Sequence, residues 1–413
     1  MRERVLSRRD FVRQSGIGFG VALCAPFAAG QPERPEISPR ITMVRKIDGA
    51  QFYGVSPDGR LLCLYRFRRP ETMLREWSYD GGNSRKTEDV LQIVDLETGK
   101  LHYATQLRTM VEDLSFFAGG ERIYAQTVLM GRPGSDRLKI RQQVVIDLRT
   151  RQVAERLSES PDFHIALSGD TLLGYRSYQG VYSVRHVDSP RSALLLAELP
   201  DYKEVARTPF AVAPEPEHYG VPRPFGDGMH WGYDTTPIVS GNKERVVYGA
   251  GHHLVCRRTS DLSVTWSRLI EPEYFGVWLV AITPDAKTVA AAVIGGSSVA
   301  GREKHYIGIY GGEDGAEQVR LSLDGYAGMS ISPDGKLLAV SAQTPLPEGR
   351  AEPTVLIYDI PSGRQVGRVN DPVVGVSGFG NSGKAAIGSQ FTPDGSYLIT
   401  SGLNDLTVWS IQR

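Results

Sequence analysis

The sequence predicts an all-β fold, a seven-bladed β-propeller of four-stranded antiparallel blades. Three observations predict it. A strand–turn–strand unit recurs along the whole chain, a second tight turn follows each first one, and the two ends of the array are each incomplete in a complementary way. Regular turn spacing of this kind is the sign of a blade repeat, with each unit unable to bury its apolar face alone.

The first turn is plainest in Val55-Ser56-Pro57-Asp58-Gly59-Arg60, Ile331-Ser332-Pro333-Asp334-Gly335-Lys336 and Phe391-Thr392-Pro393-Asp394-Gly395-Ser396, with a fourth copy in Ile282-Thr283-Pro284-Asp285-Ala286-Lys287. Proline sets φ for the first corner, aspartate bonds back to the backbone, and glycine accepts positive φ. An apolar, β-prone run follows each copy. Degenerate copies begin at Phe116, Leu167 and Val239, giving seven turns mostly about 45 to 60 residues apart. The second turns are expected at 94–100, 146–150, 186–190, 259–262, 312–315 and 358–363, so each unit has strands a to d with tight a–b and c–d turns. The seventh unit stops at its third strand, Thr407 to Ile411, while Ile41 to Ile47 is an unpartnered β-prone run at the other end. Pairing the two closes the ring and removes the exposed edges of a linear array.

These units resemble the WD40-like and TolB-like propeller superfamily of bacteria. The tail Ile399 to Trp409 is similar to a WD40 third strand, with Ser410 where an aspartate would complete the signature. The resemblance covers nearly all of 41–413. It implies a fold and leaves the function open, because many activities sit on this scaffold.

Residues 1–30 read as a signal peptide, with a charged start, a short apolar core from Gly16 to Ala29, and small residues at the end. The core is too short to span a bilayer as a stable anchor. Ser7-Arg8-Arg9-Asp10-Phe11-Val12-Arg13 resembles the twin-arginine motif, with Val12 and Arg13 as mild departures, which implies export after folding to the periplasm or beyond. Residues 31–40, proline-rich and charged, read as a linker.

Composition narrows the partners. Lys plus Arg and Asp plus Glu are equal at 47 each, so the whole-chain balance gives no support for a nucleic-acid partner. Beyond Cys24 in the signal there are Cys63 and Cys256, which read as buried free thiols; an oxidising compartment also allows a disulfide.

Binding residues are expected on the b–c and d–a connections, because loops on a rigid scaffold carry function more often than strands do. The candidates are Arg68, Arg69, Trp77 and Tyr79 in the blade 1 connection 66–89, suited to an acidic or aromatic partner. A proline- and aromatic-rich insertion, 200–233, adds His218, Tyr219, Arg223, His230 and Trp231. Further connections are expected at 130–141, 295–304, 343–352 and 375–384. No metal site is expected: His218, His230 and Asp227 match no standard zinc spacing, and His252-His253, placed in strand b of blade 4, point to opposite faces. Gly-x-Ser-x-Gly is absent, and Gly378 to Lys384 lacks the spacing of a phosphate loop. The expectation is a monomeric, exported, non-catalytic module binding an unidentified protein or small molecule, with no cofactor. The alternative is a propeller enzyme, a lactonase-like hydrolase or quinoprotein-type subunit, with its site at the channel mouth.

Overall fold

A computed structural model describes residues 39–66, 90–107, 110–129, 140–158, 163–176, 193–212, 235, 237–250, 252–270, 274–295, 306–322, 328–345, 351–370, 388–401 and 405–412. The expected signal and most of the linker lie outside the described residues.

Twenty-eight strands form seven antiparallel sheets of four. Blade 1 is β1's neighbour in sequence. β1 (Arg40–Asp48) leads into β2 (Ala50–Val55), β3 (Leu61–Arg66), β4 (Val90–Asp95) and β5 (Leu101–Gln106), and these last four make blade 1. Blade 2 is β6 (Met110–Phe116), β7 (Arg122–Leu129), β8 (Ile140–Asp147) and β9 (Val153–Ser158). Blade 3 is β10 (Phe163–Ala166), β11 (Thr171–Arg176), β12 (Ala193–Glu198) and β13 (Lys203–Pro209). Blade 4 is β14 (Ile238–Val239), β15 (Arg245–Ala250), β16 (His253–Arg258) and β17 (Val264–Leu269). Blade 5 is β18 (Tyr274–Ile282), β19 (Thr288–Gly295), β20 (Tyr306–Gly311) and β21 (Glu317–Ser322). Blade 6 is β22 (Gly328–Ile331), β23 (Leu337–Pro345), β24 (Ala351–Asp359) and β25 (Arg364–Asn370). Blade 7 is β26 (Gly388–Phe391), β27 (Tyr397–Ser401) and β28 (Asp405–Gln412), completed by β1. Among the described residues there is no helix.

The ring closes as expected. β1 runs antiparallel to β28 from Arg40↔Gln412 to Asp48↔Asp405, with a bulge between Met43 and Arg45. Ile41 and Ile47 then join the cores on either side of blade 7, one shared with blade 6 and one with blade 1.

The core lies between blades rather than within one. Strands b and c are buried on both faces, as in the all-buried YIGIYG of β20, because each blade is packed on two neighbours. The outer d strands alternate instead, β5 reading exposed–intermediate along its outer half. Cys63 and Cys256 are buried, free, and sit in separate inter-blade cores.

Three local expectations are corrected. The c–d turn of blade 3 is Leu199–Tyr202, not 186–190, so Lys203–Pro209, read above as insertion, is a strand and the blade 3–4 connection is 210–237. The run Lys203 to Pro209 alternates in exposure as an outer strand does, a weaker signal than the Asp-Ser-Pro of 188–190 that suggested the turn. In blade 6, β23 and β24 pair as far as Pro345↔Ala351, so 343–345 and 351–352 of the expected connection are strand. In blade 4 the b–c connection is only residues 251–252: His253 opens strand c, and neither histidine is in strand b.

Candidate functional site

The two faces of the ring are built differently. Every a–b turn has four or five residues (56–60, 117–121, 167–170, 240–244, 283–287, 332–336, 392–396), and so has every c–d turn within the continuous blades (96–100, 148–152, 199–202, 259–263, 312–316, 360–363). Connections on the opposite face are unequal: Gly49 alone joins blades 7 and 1, whereas 67–89, 177–192, 210–237 and 371–387 span much longer stretches.

On the turn face one hydrogen-bond network is repeated in five of the seven blades. In blade 6, Ser332 is fully buried; its Oγ donates to Asp334 Oδ1 at 2.6 Å and accepts the Leu337 amide at 2.8 Å. Asp334 Oδ1 also accepts the Lys336 amide at 3.1 Å, and the Gly335 amide closes the turn on the Ser332 carbonyl at 2.9 Å. The same set recurs at Ser56/Asp58, Thr283/Asp285 and Thr392/Asp394, and with an amide in place of the carboxylate at Ser240/Asn242. Blades 2 and 3 have Phe117 and Leu167 at the hydroxyl position and lack it. The residue that follows strand c, or in blade 7 its penultimate residue, then donates to the last carbonyl of the a–b turn in all seven blades, from Leu96 to Arg60 at 2.8 Å round to Ile411 to Ser396 at 2.9 Å.

Some charged contacts cross from one blade to the next. Arg122 of blade 2 reaches Asp170 of blade 3 at 2.6 Å and stacks over Phe117. Lys243 Nζ of blade 4 donates to the Ala166 carbonyl of blade 3 at 3.1 Å. Arg257, only 5% exposed, donates from Nε to Tyr248 Oη (2.8 Å), from Nη1 to the Leu262 carbonyl (2.7 Å), and from Nη2 to the Pro209 carbonyl of blade 3 (3.2 Å). Tyr248 passes the contact on to the Phe210 carbonyl at 2.9 Å. Among the described residues no carboxylate pairs with this guanidinium; fixed carbonyl dipoles hold the charge instead.

The shifted titrations follow from these structural roles. The Thr98 hydroxyl and amide hold Asp95 below the usual carboxylate range, and the Thr150 amide does the same for Asp147. The Ser263 hydroxyl and amide, with Arg258 adding, bring Asp261 down to about 2. Burial raises the Cys63 thiol, lifts Cys256 to about 11 and Tyr310 to about 12, and lowers His252. No two of these groups share a cleft as a nucleophile–base pair would. Among the described residues no three His, Cys, Asp or Glu side chains are grouped to hold a metal ion. His253 Nδ1 lies 3.2 Å from Ser267 Oγ, a cross-strand contact within blade 4.

The expected binding residues Arg68, Arg69, Trp77 and Tyr79, and likewise His218, Tyr219, Arg223, His230 and Trp231, lie outside the described residues. What is described is their framework: β3 and β4 deliver and receive the first group, β13 and β14 the second, all on the unequal face.

One cleft was not foreseen. It lies at the seam of blades 7 and 1, has a volume of about 360 Å³, and is lined by Arg45, Lys46, Ile47, Asp48, Leu64, Arg66, Val94 and Gly99. Its charged residues come from β1 and β3, which are near in sequence but belong to different sheets.

No family model matches the chain, and no curated protein does. Solved structures share its fold. The β-propeller domain of Cps50 (Swd1) from Myceliophteria thermophila is 12% identical, with a TM-score of 0.53 over 90% of this chain and 99% of that one. Hydrazine synthase of Kuenenia stuttgartiensis is 16% identical, with a TM-score of 0.53 over 89% of this chain and 97% of that one.

Proposed function

We propose that the chain is an exported propeller that binds a ligand or a protein through the face on which its unequal connections open. The observation that supports this reading is the asymmetry of the two faces. One side is fixed by the same short turns around the ring, and the other carries nearly all the variation in connection length. A closed, rigid ring with variable connections on one face can specialise those connections without disturbing its core. The Arg8-Arg9 run supports export. The fold neighbours include both a β-propeller domain and an enzyme, so the fold is compatible with binding and with catalysis alike.

The test compares two sets of variants of the mature chain against a partner captured by cross-linking in the envelope of its own cell. Arg68→Ala with Arg69→Ala, Trp77→Ala with Tyr79→Ala, and Trp231→Ala are expected to weaken capture by about tenfold or more, a loss of about 1.4 kcal/mol or more. Arg60→Ala, Lys287→Ala and Lys336→Ala, on the turn face, are expected to leave it unchanged. Equal losses from both sets would remove the reading. Turnover by the purified chain would replace it with a propeller enzyme.

A further inference from the structure

We infer that Lys243 is a strap that holds blades 2, 3 and 4 together on the channel side, and that these blades are the sector where the ring loosens when the strap is released. This does not rest on the binding face proposed above.

Lys243 occupies the fourth position of the blade 4 a–b turn. Its amide closes that turn on the Ser240 carbonyl at 2.9 Å, as the amides of Gly59, Gly120, Ala286, Gly335 and Gly395 close theirs. All six residues have positive φ, Lys243 at +62°. Glycine takes that conformation freely, whereas a residue with a Cβ is strained there. Ala286 adds only a methyl group, so among these six positions Lys243 alone has a long side chain.

That side chain has room because blade 3 departs from the pattern. Residues at the fourth position face the preceding blade. Pro57 lies 3.4 Å from where a Cβ on Gly120 would stand, and Pro393 lies 3.6 Å from the same point on Gly59. A longer side chain at either position would meet the proline ring. The blade 3 turn, 167–170, is one residue shorter and has Ser168 where those turns have proline. Lys243 reaches past it. Its Nζ donates to the Ala166 carbonyl at 3.1 Å and to the Phe116 carbonyl at 3.5 Å, at the last residues of β10 and β6. Strands a of successive blades touch, as β2 touches β6 and β6 touches β10, which makes them the innermost strands. An ammonium that extends from blade 4 past blade 3 to blade 2 is therefore on the channel side.

The strap acts where the repeated turn network is missing. Blades 2 and 3 have Phe117 and Leu167 in place of the buried hydroxyl. They are bonded to each other, the Ala118 amide to the Leu167 carbonyl at 3.0 Å and the Ala166 amide to Ser115 Oγ at 2.8 Å. Lys243 joins blade 4 to that pair through one ammonium, whose three donors suit several carbonyls at once. Backbone strain persists where the surrounding structure over-determines it, and here carbonyls of two other blades do so. The longest connection, 210–237, joins blades 3 and 4 on the opposite face, so the strap braces the blades that bear it.

The test is native-state hydrogen exchange of the chain, read by mass spectrometry on peptides from each blade. Lys243→Met keeps the reach and the positive φ but removes the ammonium. Lys243→Gly removes the side chain and relaxes the backbone, so it carries the same comparison if the methionine variant does not fold. Ala286→Gly relaxes the same turn position in blade 5, where there is no strap. Both Lys243 variants are expected to speed exchange of the β6, β10 and β11 amides about tenfold, while β22, β23, β26 and β27 keep the parent rates. Ala286→Gly is expected to leave both groups unchanged. Unaltered protection of blades 2 and 3 in the Lys243 variants would overturn the assignment. So would an equal rise in every blade, or the same loss of protection in Ala286→Gly.

Discussion

At the scale of single residues, the ionisable groups of this ring are held in the charge state that folding prefers. Asp95, Asp147 and Asp261 have folded pKa values depressed by turn hydrogen bonds, Asp261 to about 2. The unfolded chain therefore binds protons first as the medium acidifies. Their contribution is complete above the ordinary carboxylate value of about 3.9 and is lost as pH falls through the folded values. His252, depressed by burial, adds a loss that begins near its ordinary value of about 6.5. Cys63, Cys256 and Tyr310 work in the other direction. Burial raises them, Cys256 to about 11 and Tyr310 to about 12, so folding favours their neutral forms. That contribution is complete below the ordinary thiol and phenol values of about 8.5 and 10, and disappears as pH rises through the folded values. Melting temperature measured against pH should thus show a plateau between about pH 7 and 8, a shallow acid shoulder steepening below about pH 4, and a separate alkaline fall. A curve still rising at pH 10 would contradict the burial of the two thiols and Tyr310.

At the scale of the element, the repeated a–b turn is the unit to perturb. Its buried hydroxyl is the critical atom, because it satisfies the first amide of strand b where water cannot reach. Ser332→Ala is expected to cost about 1–3 kcal/mol in urea unfolding, the price of an unsatisfied buried amide. Ser332→Thr is expected to cost little, since Thr283 and Thr392 make the same bonds in blades 5 and 7. An alanine variant as stable as the parent would show that the aspartate alone holds the turn. This element also marks how far the fold was legible. Pro, Asp and Gly were readable at once because each acts through local backbone geometry. The role of the preceding Ser or Thr was not, since it depends on burial by the neighbouring blade. Blade 3 was misread because two segments offer turn chemistry: Asp188-Ser189-Pro190 was chosen, while the actual turn at Leu199–Tyr202 carries Pro200-Asp201 and is fixed by the pairing of β12 with β13. The seam cleft was not read from the sequence because β1 and β3, which line it, belong to different sheets. The expected binding residues were legible as loop residues, and nothing in local chemistry says how they are arranged.

At the scale of the whole molecule, stability depends on a join between residues that start and end the ring. β1 covers the free edge of β28, and its Ile41 and Ile47 enter two different inter-blade cores. Removing it therefore does more than fray one strand. It uncovers the ladder of β28, a ready template for association, and opens the cores on both sides of blade 7. A chain lacking 40–48 is expected to leave the monomer peak on gel filtration and to lose its single sharp thermal transition. Contacts and connectivity are separable here, because Arg40 faces Gln412 across the pair, as strand ends do at the c–d turns of the other blades. A permuted chain starting at Ala50, with residues 40–49 moved behind 412 through a turn of about five residues, restores every contact of β1. Its loop has the length the other blades use, and loop entropy changes only slowly with length, so its stability should lie within about 1 kcal/mol of the parent. If the deleted chain stays monomeric with an unaltered melt, the ring does not need its closing strand. If the permuted chain fails where the parent folds, the order of the chain, and not the join itself, is what assembles the ring.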